Sequence, residues 1–75
     1  MVDGRTVYEV QPADDLWRVK LAGDSQTEYA DTKEGAIARA KQLARRSQLA
    51  RVVVYGEDGR VEQEIYFDPG SERSV

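Results

Sequence analysis

Residues 51–67 read RVVVYGEDGRVEQEIYF, and this stretch decides the fold. After Arg51 come three valines and a tyrosine, side chains that suit a pleated, half-buried surface. Asp58-Gly59 then gives a strong hairpin signal, because a type I′ turn needs positive φ at both central residues. The chain returns through VEQEIYF over residues 61–67. With Asp58-Gly59 as a two-residue turn, Val54 falls opposite Gln63 and Val52 opposite Ile65. One face then holds Val52, Val54, Val61, Ile65 and Phe67. The other holds Val53, Tyr55, Glu62, Glu64 and Tyr66. Asp68-Pro69-Gly70 closes the strand, and residues 69–75 read as a polar tail that frays, leaving an ordered part of about residues 6–68.

The stretch before this hairpin has a different period. Over residues 33–47, Ala36, Ile37, Ala40, Leu43 and Ala44 recur at helical spacing and fall within an arc of roughly 120°. Arg39, Lys41, Gln42, Arg45 and Arg46 lie outside that arc. Asp31 or Thr32 can cap the helix, and Asp31 with Glu34 has capping-box spacing. The apolar stripe is mostly alanine, so the helix can approach a sheet closely. Gly35 in the first turn weakens it modestly.

Further back, residues 6–11 (TVYEVQ) and 16–21 (LWRVKL) alternate as strands. Pro12 to Asp15 supply the turn of a first hairpin. Trp17, Val19 and Leu21 share one face of the second strand and Arg18 and Lys20 the other, so Trp17 reads as the main core anchor. Residues 23–26 form another turn, and residues 27–30 are a candidate short strand. The expected architecture is a single α+β domain over residues 1–75. It is an antiparallel sheet of four or five strands, ββ(β)αββ, with one amphipathic helix packed on one face.

The pieces Trp17-Arg18-Val19-Lys20, Thr32-Lys33-Glu34-Gly35-Ala36-Ile37 with Ala40 and Ala44, and Val53 through Val61 with its Asp58-Gly59-Arg60 turn occur in a telling order. Together they resemble a short prokaryotic family called domain of unknown function 2188. The likeness spans about Tyr8 to Tyr66. Two positions depart from it: Tyr55 stands where a histidine is expected, and Gly35 where an alanine or glutamate is expected. The resemblance implies this fold and implies no activity.

Composition narrows the chemistry. The 75 residues are 40% hydrophobic and 33% charged, which places the chain among globular domains. A domain this small has little stability to spare, and it contains no cysteine to staple it. That points to association with a second copy. No apolar run follows Met1 to Arg5, no stretch reaches the length of a membrane span, and cysteine is absent, so a cytoplasmic location is expected.

Histidine and cysteine, the usual general base and soft nucleophile, are both missing, and no glycine-rich phosphate loop is present. A non-catalytic domain without cofactor or metal is therefore expected. Asp14-Asp15 and Glu57-Asp58 read as solvated turn carboxylates. Two surfaces stand out. Val53, Tyr55 and Tyr66 form a candidate partner face, suited to a homodimer or another protein because tyrosine is enriched at interfaces. Arg39, Lys41, Arg45 and Arg46, with Arg51, form a candidate anion or nucleic-acid surface in a chain of net charge −3. The leading reading is an interaction module that associates with itself through the outer sheet face. The alternative is a nucleic-acid-binding accessory protein that uses the basic helix face.

Overall fold

The computed structural model of the chain describes residues 4–21, 27–47 and 49–74. The elements are β1 (Thr6–Ala13), β2 (Leu16–Leu21), β3 (Thr27–Ala30), α1 (Lys33–Ala44), β4 (Ala50–Tyr55), β5 (Val61–Asp68) and β6 (Ser71–Ser74). The turn expected over residues 23–26 lies outside the described residues. The candidate short strand is present as β3. The segment expected to fray pairs instead with β5, from Ile65 opposite Ser74 to Asp68 opposite Ser71. Gly70, at φ 78°, makes the tight reversal between them.

The six strands form one sheet in the order β3-β2-β1-β4-β5-β6. All neighbours are antiparallel except β1 and β4, which run parallel from Thr6 opposite Ala50 to Val10 opposite Val54. The sheet is thus mixed, where an antiparallel one was expected. The reason is the connection. Parallel neighbours need a crossover, and α1 carries the chain over the sheet and returns it beside the start of β1. There the Thr6 amide donates to the Leu49 carbonyl at 3.1 Å.

β1 continues through Pro12 to Ala13, beyond the expected end at residue 11. Pro12 lies past the last β1–β4 pair, so its missing N–H breaks no bond to β4. Asp14, at φ 57°, takes the left-handed conformation in the two-residue turn.

Helix α1 ends at Ala44, three residues short of the expected boundary, and Thr32 is its cap. The Gly35 amide donates to Thr32 Oγ1 at 3.0 Å. A Cβ at position 35 would stand 3.1 Å from that oxygen, which gives the glycine a packing reason. The expected Asp31–Glu34 box is not the device used. Ala36, Ala40 and Ala44, one turn apart, are fully buried, and the helix packs on β1, β2, β3 and β4. Small residues on this ridge let the helix sit close to the sheet.

The second hairpin differs from expectation in an instructive way. Gly59 has φ 83° and Asp58 is not left-handed, while the Gly56 amide donates to the Arg60 carbonyl at 2.8 Å. The Gly59 amide donates to the Gly56 carbonyl at 3.0 Å. The loop therefore has three residues, Glu57 to Gly59, and is not a type I′ turn. Tyr55 pairs with Val61, but Val54 pairs with Gln63, so a bulge at Glu62 restores the register. The expected pairs Val54–Gln63 and Val52–Ile65 are thus correct, whereas two face assignments are not. Val61, opposite Tyr55, lies on the outer face and is 49% exposed. Glu62 turns to the helix side, where it pairs with Lys33. Gly56 makes room for it, since a Cβ there would stand 2.5 Å from the Glu62 carboxylate.

The core lies between α1 and the sheet: Val10, Val19, Ala50, Val52, Val54, Ile65 and Phe67 meet the alanine ridge. Trp17 faces this side but is only half-buried at its rim. The Lys33 ammonium stands 5.6 Å from its ring centroid. It covers the edge of the core and is not its central anchor.

Candidate functional site

The basic surface is built on α1, and its charges are largely matched. Arg39 donates to both carboxylate oxygens of Glu28 on β3, at 2.7 and 3.2 Å. The Arg39 guanidinium holds the Glu28 carboxyl below its usual range, and Glu28 in turn raises Arg39. Lys41 and Arg45 share Glu72 on β6, at 3.4 and 3.2 Å. Burial opposes ionisation of Glu72, but the two cations outweigh it and hold its pKa low. Arg46 is exposed and pairs with no described residue. Arg51 is not part of this surface. It belongs to β4 and points to the opposite face of the sheet, where it pairs with Glu64 at 2.7 Å. The structure therefore splits the helix cations between two flanks, Arg39 reaching Glu28 on β3 and Lys41 and Arg45 reaching Glu72 on β6, at opposite edges of the sheet, and it separates Arg51 from both.

The face of the sheet turned away from α1 is built by strand alternation, which sends every second side chain outward. Among the described residues, no element covers it. Val7, Glu9 and Gln11 of β1, Arg18 and Lys20 of β2, and Arg51, Val53 and Tyr55 of β4 share it. Glu64 and Tyr66 of β5 and Arg73 of β6 complete it. Polar groups here bond to one another: Arg18 Nε to Gln11 at 2.9 Å, Gln11 Nε2 to Glu9 at 3.2 Å, and the Tyr55 hydroxyl to Glu9 at 3.3 Å. Partial burial raises the Tyr55 phenol, and the Glu9 carboxylate adds to that. The Tyr66 hydroxyl donates to Glu64 at 3.2 Å.

Val53, expected to present itself to a partner, is 3% exposed beneath these long side chains. It supports the face and offers no contact area. Tyr55 and Tyr66 are half-buried on it. Around Tyr66, three guanidinium groups gather at 5.3 to 5.9 Å from the ring centroid, those of Arg5, Arg51 and Arg73. Arg5 also donates to the Phe67 carbonyl at 3.2 Å and to Asp68 at 2.8 Å. Together with Arg73, it holds the Asp68 carboxyl below its usual range.

Sequence reasoning missed the residues that expose the most apolar surface on this face. The exposed large hydrophobic side chains are Leu16 at 39%, Tyr29 at 60% and Val61 at 49%. All three point outward: Leu16 pairs with Ala13, Tyr29 with Arg18, and Val61 with Tyr55. The parity of Leu16 with Arg18 and Lys20 could have revealed the first. Tyr29 needed β3 to be established, and Val61 needed the bulge. Leu16 and Tyr29 flank an open hollow with Pro12, Asp14, Asp15 and Arg18.

Among the described residues, no three His, Cys, Asp or Glu side chains converge as metal ligands. No helix among them is long and apolar enough to cross a membrane. No curated protein and no solved structure matches the chain. A family model does match over residues 8–67, that of the uncharacterized proteins conserved in bacteria termed domain of unknown function 2188. With four-fifths of its length inside that match, the W-R-V-K strand, the capped helix and the D-G-R hairpin included, the chain belongs to this family.

Proposed function

We propose that this domain is a non-catalytic interaction module that associates with a second copy of itself through the outer sheet face. The observation that carries this reading is the placement of Leu16, Tyr29 and Val61. All the exposed large hydrophobic side chains of the described residues lie on the one sheet face that no helix covers. Singly exposed apolar residues are ordinary, but their restriction to one face, beside Tyr55 and Tyr66, is what an interface would use. The helix surface supports the nucleic-acid reading less well, because Arg39, Lys41 and Arg45 each face a carboxylate that would repel phosphate.

Sedimentation equilibrium at micromolar concentration tests the proposal. A dimer mass is expected, and Leu16→Ser with Tyr29→Ser should return it to monomer with the circular dichroism unchanged. A parent chain that stays monomeric throughout the micromolar range would overturn it.

A further inference from the structure

The sheet ends in two edges that offer different things to a second strand. Among the described residues, β3 pairs only with β2, and β6 only with β5. The outer side of an edge strand presents backbone N–H and C=O groups that can pair with another chain. When two copies join edge to edge, antiparallel about a two-fold axis, residues of the same face come opposite one another, so one residue must meet its own copy. The middle residues of β6 are Glu72 and Arg73. A seam there sets carboxylate on carboxylate or guanidinium on guanidinium, which is destabilising. The middle residues of β3 are Glu28 and Tyr29. Glu28 lies on the helix side, bound to Arg39, and would meet its copy as a like charge. Tyr29 lies opposite Arg18 on the outer face, is 60% exposed, and would meet a second aromatic ring.

We infer that two copies pair antiparallel along β3, with Tyr29 opposite the partner's Tyr29, and so join their sheets into one. This rests on the self-association proposed above and puts its seam at the β3 edge of the outer face. Charges agree with this register. With Tyr29 at the axis, Glu28 falls opposite the partner's Ala30, and Thr27 opposite the partner's Asp31. Lys20 stands beside Thr27 on the outer face. Neither Lys20 nor Asp31 pairs with any described residue. Lys20 and the partner's Asp31 are two strand spacings apart, about 10 Å, which the lysine stem and the aspartate together span. The seam therefore brings an unpaired cation to an unpaired carboxylate, and the two-fold axis repeats the junction. The apolar residues line up as well. Leu16 lies on the same face of β2 as Arg18, diagonal to Tyr29 across the hollow that both line. Leu16, Tyr29 and the same two residues of the second copy then form one apolar diagonal over the seam.

Cross-linking reads the register directly, because the chain has no cysteine of its own. Thr27→Cys and Asp31→Cys, mixed and oxidised at micromolar concentration, should give a disulfide-linked dimer of the two variants. Each alone should stay uncross-linked, since each position lies roughly 13 Å along the seam from its own copy, beyond the ~7 Å Cα limit of a disulfide. If the parent sediments as a dimer and the mixture does not cross-link, the β3 seam is overturned and self-association stands. Equal cross-linking in all three samples overturns the seam in the same way. A parent chain that is monomeric overturns both. The second measurement is a charge exchange that needs no cysteine. Lys20→Glu should raise the dimer Kd roughly tenfold, and Lys20→Glu with Asp31→Lys should restore the parental value. A double variant that dimerises as weakly as Lys20→Glu overturns the proposal. If either cysteine variant fails to fold by circular dichroism, the charge exchange decides.

Discussion

The two faces of this sheet are made by the same strands and hold together by different means. On β4, Val52 and Val54 point to α1 and are buried against the Ala36, Ala40 and Ala44 ridge. Val53, between them, points the other way and is almost as buried, yet among the described residues no secondary-structure layer lies over it. Its cover is the long side chains of its neighbours, including Glu9 and Glu64, which pair across the strands on either side. Their aliphatic stems lie on apolar surface while their carboxylates accept from Tyr55 and Gln11 at Glu9 and from Arg51 and Tyr66 at Glu64. Burial therefore does not require a second layer, but the two kinds of burial should respond differently to substitution.

The largest contrast is expected at adjacent residues of β5. Phe67→Ala removes a buried ring from the helix side and should cost about 3–5 kcal/mol, enough to unfold much of so small a domain. Tyr66→Ala on the open side should cost clearly less, because its ring is half-exposed and flanked by guanidinium groups that water can solvate. Trp17→Ala should fall below Phe67→Ala for the same reason. Chemical denaturation of the four proteins gives the order, and a Tyr66→Ala or Trp17→Ala loss equal to that of Phe67→Ala would erase the distinction between the faces.

A sharper version uses one substitution on each side of β4. Val52→Thr places a hydroxyl in the dry core, where an uncompensated polar group costs about 1–3 kcal/mol. Val53→Thr places the same hydroxyl among carboxylates and should shift the urea midpoint much less. Equal shifts would mean that the open face is as dry as the covered one.

Acid should weaken both faces through their ion pairs. Asp68, Glu28 and Glu72 have folded-state pKa values below their ordinary ones, so the unfolded chain binds protons more readily. Their contribution is complete above the ordinary carboxylate range, near pH 4, and is lost as pH falls through the lower folded values. The denaturation midpoint should therefore decline below about pH 5. Asp68→Asn should flatten part of that decline, and an unchanged slope would remove Asp68 from the account. The smallest effect is expected for Glu28→Gln at neutral pH. Its pair with Arg39 is solvent-exposed, and the midpoint should stay within experimental error of the parent.

Much of this was legible in the residues because it is local. The helix over the alanine stripe, the two hairpins and the parity of Val19, Val52 and Ile65 follow from periods of 3.6 and 2 within single segments. The candidate site was legible only in part: Tyr55 and Tyr66 were placed on the right face from parity alone. Arg51 was grouped with the helix cations because it is near them in sequence, although a strand's alternation turns it to the other side. Glu62 and Val61 were exchanged between faces because a three-residue loop and a bulge offset each other in the register, leaving Val54 and Val52 correctly paired beyond them.

By itself, the sequence determined an α+β domain with one helix on a sheet, the core-facing residues of its regular strands, and the family resemblance. The tertiary structure alone decided that β1 and β4 lie side by side in parallel. It also recruited Ser71–Ser74 as a sixth strand and gathered Arg5, Arg51 and Arg73 around one tyrosine. Those three arginines are far apart in the chain. Their meeting depends on which strands are neighbours, and that is chosen by the burial of the whole core, which no local period records.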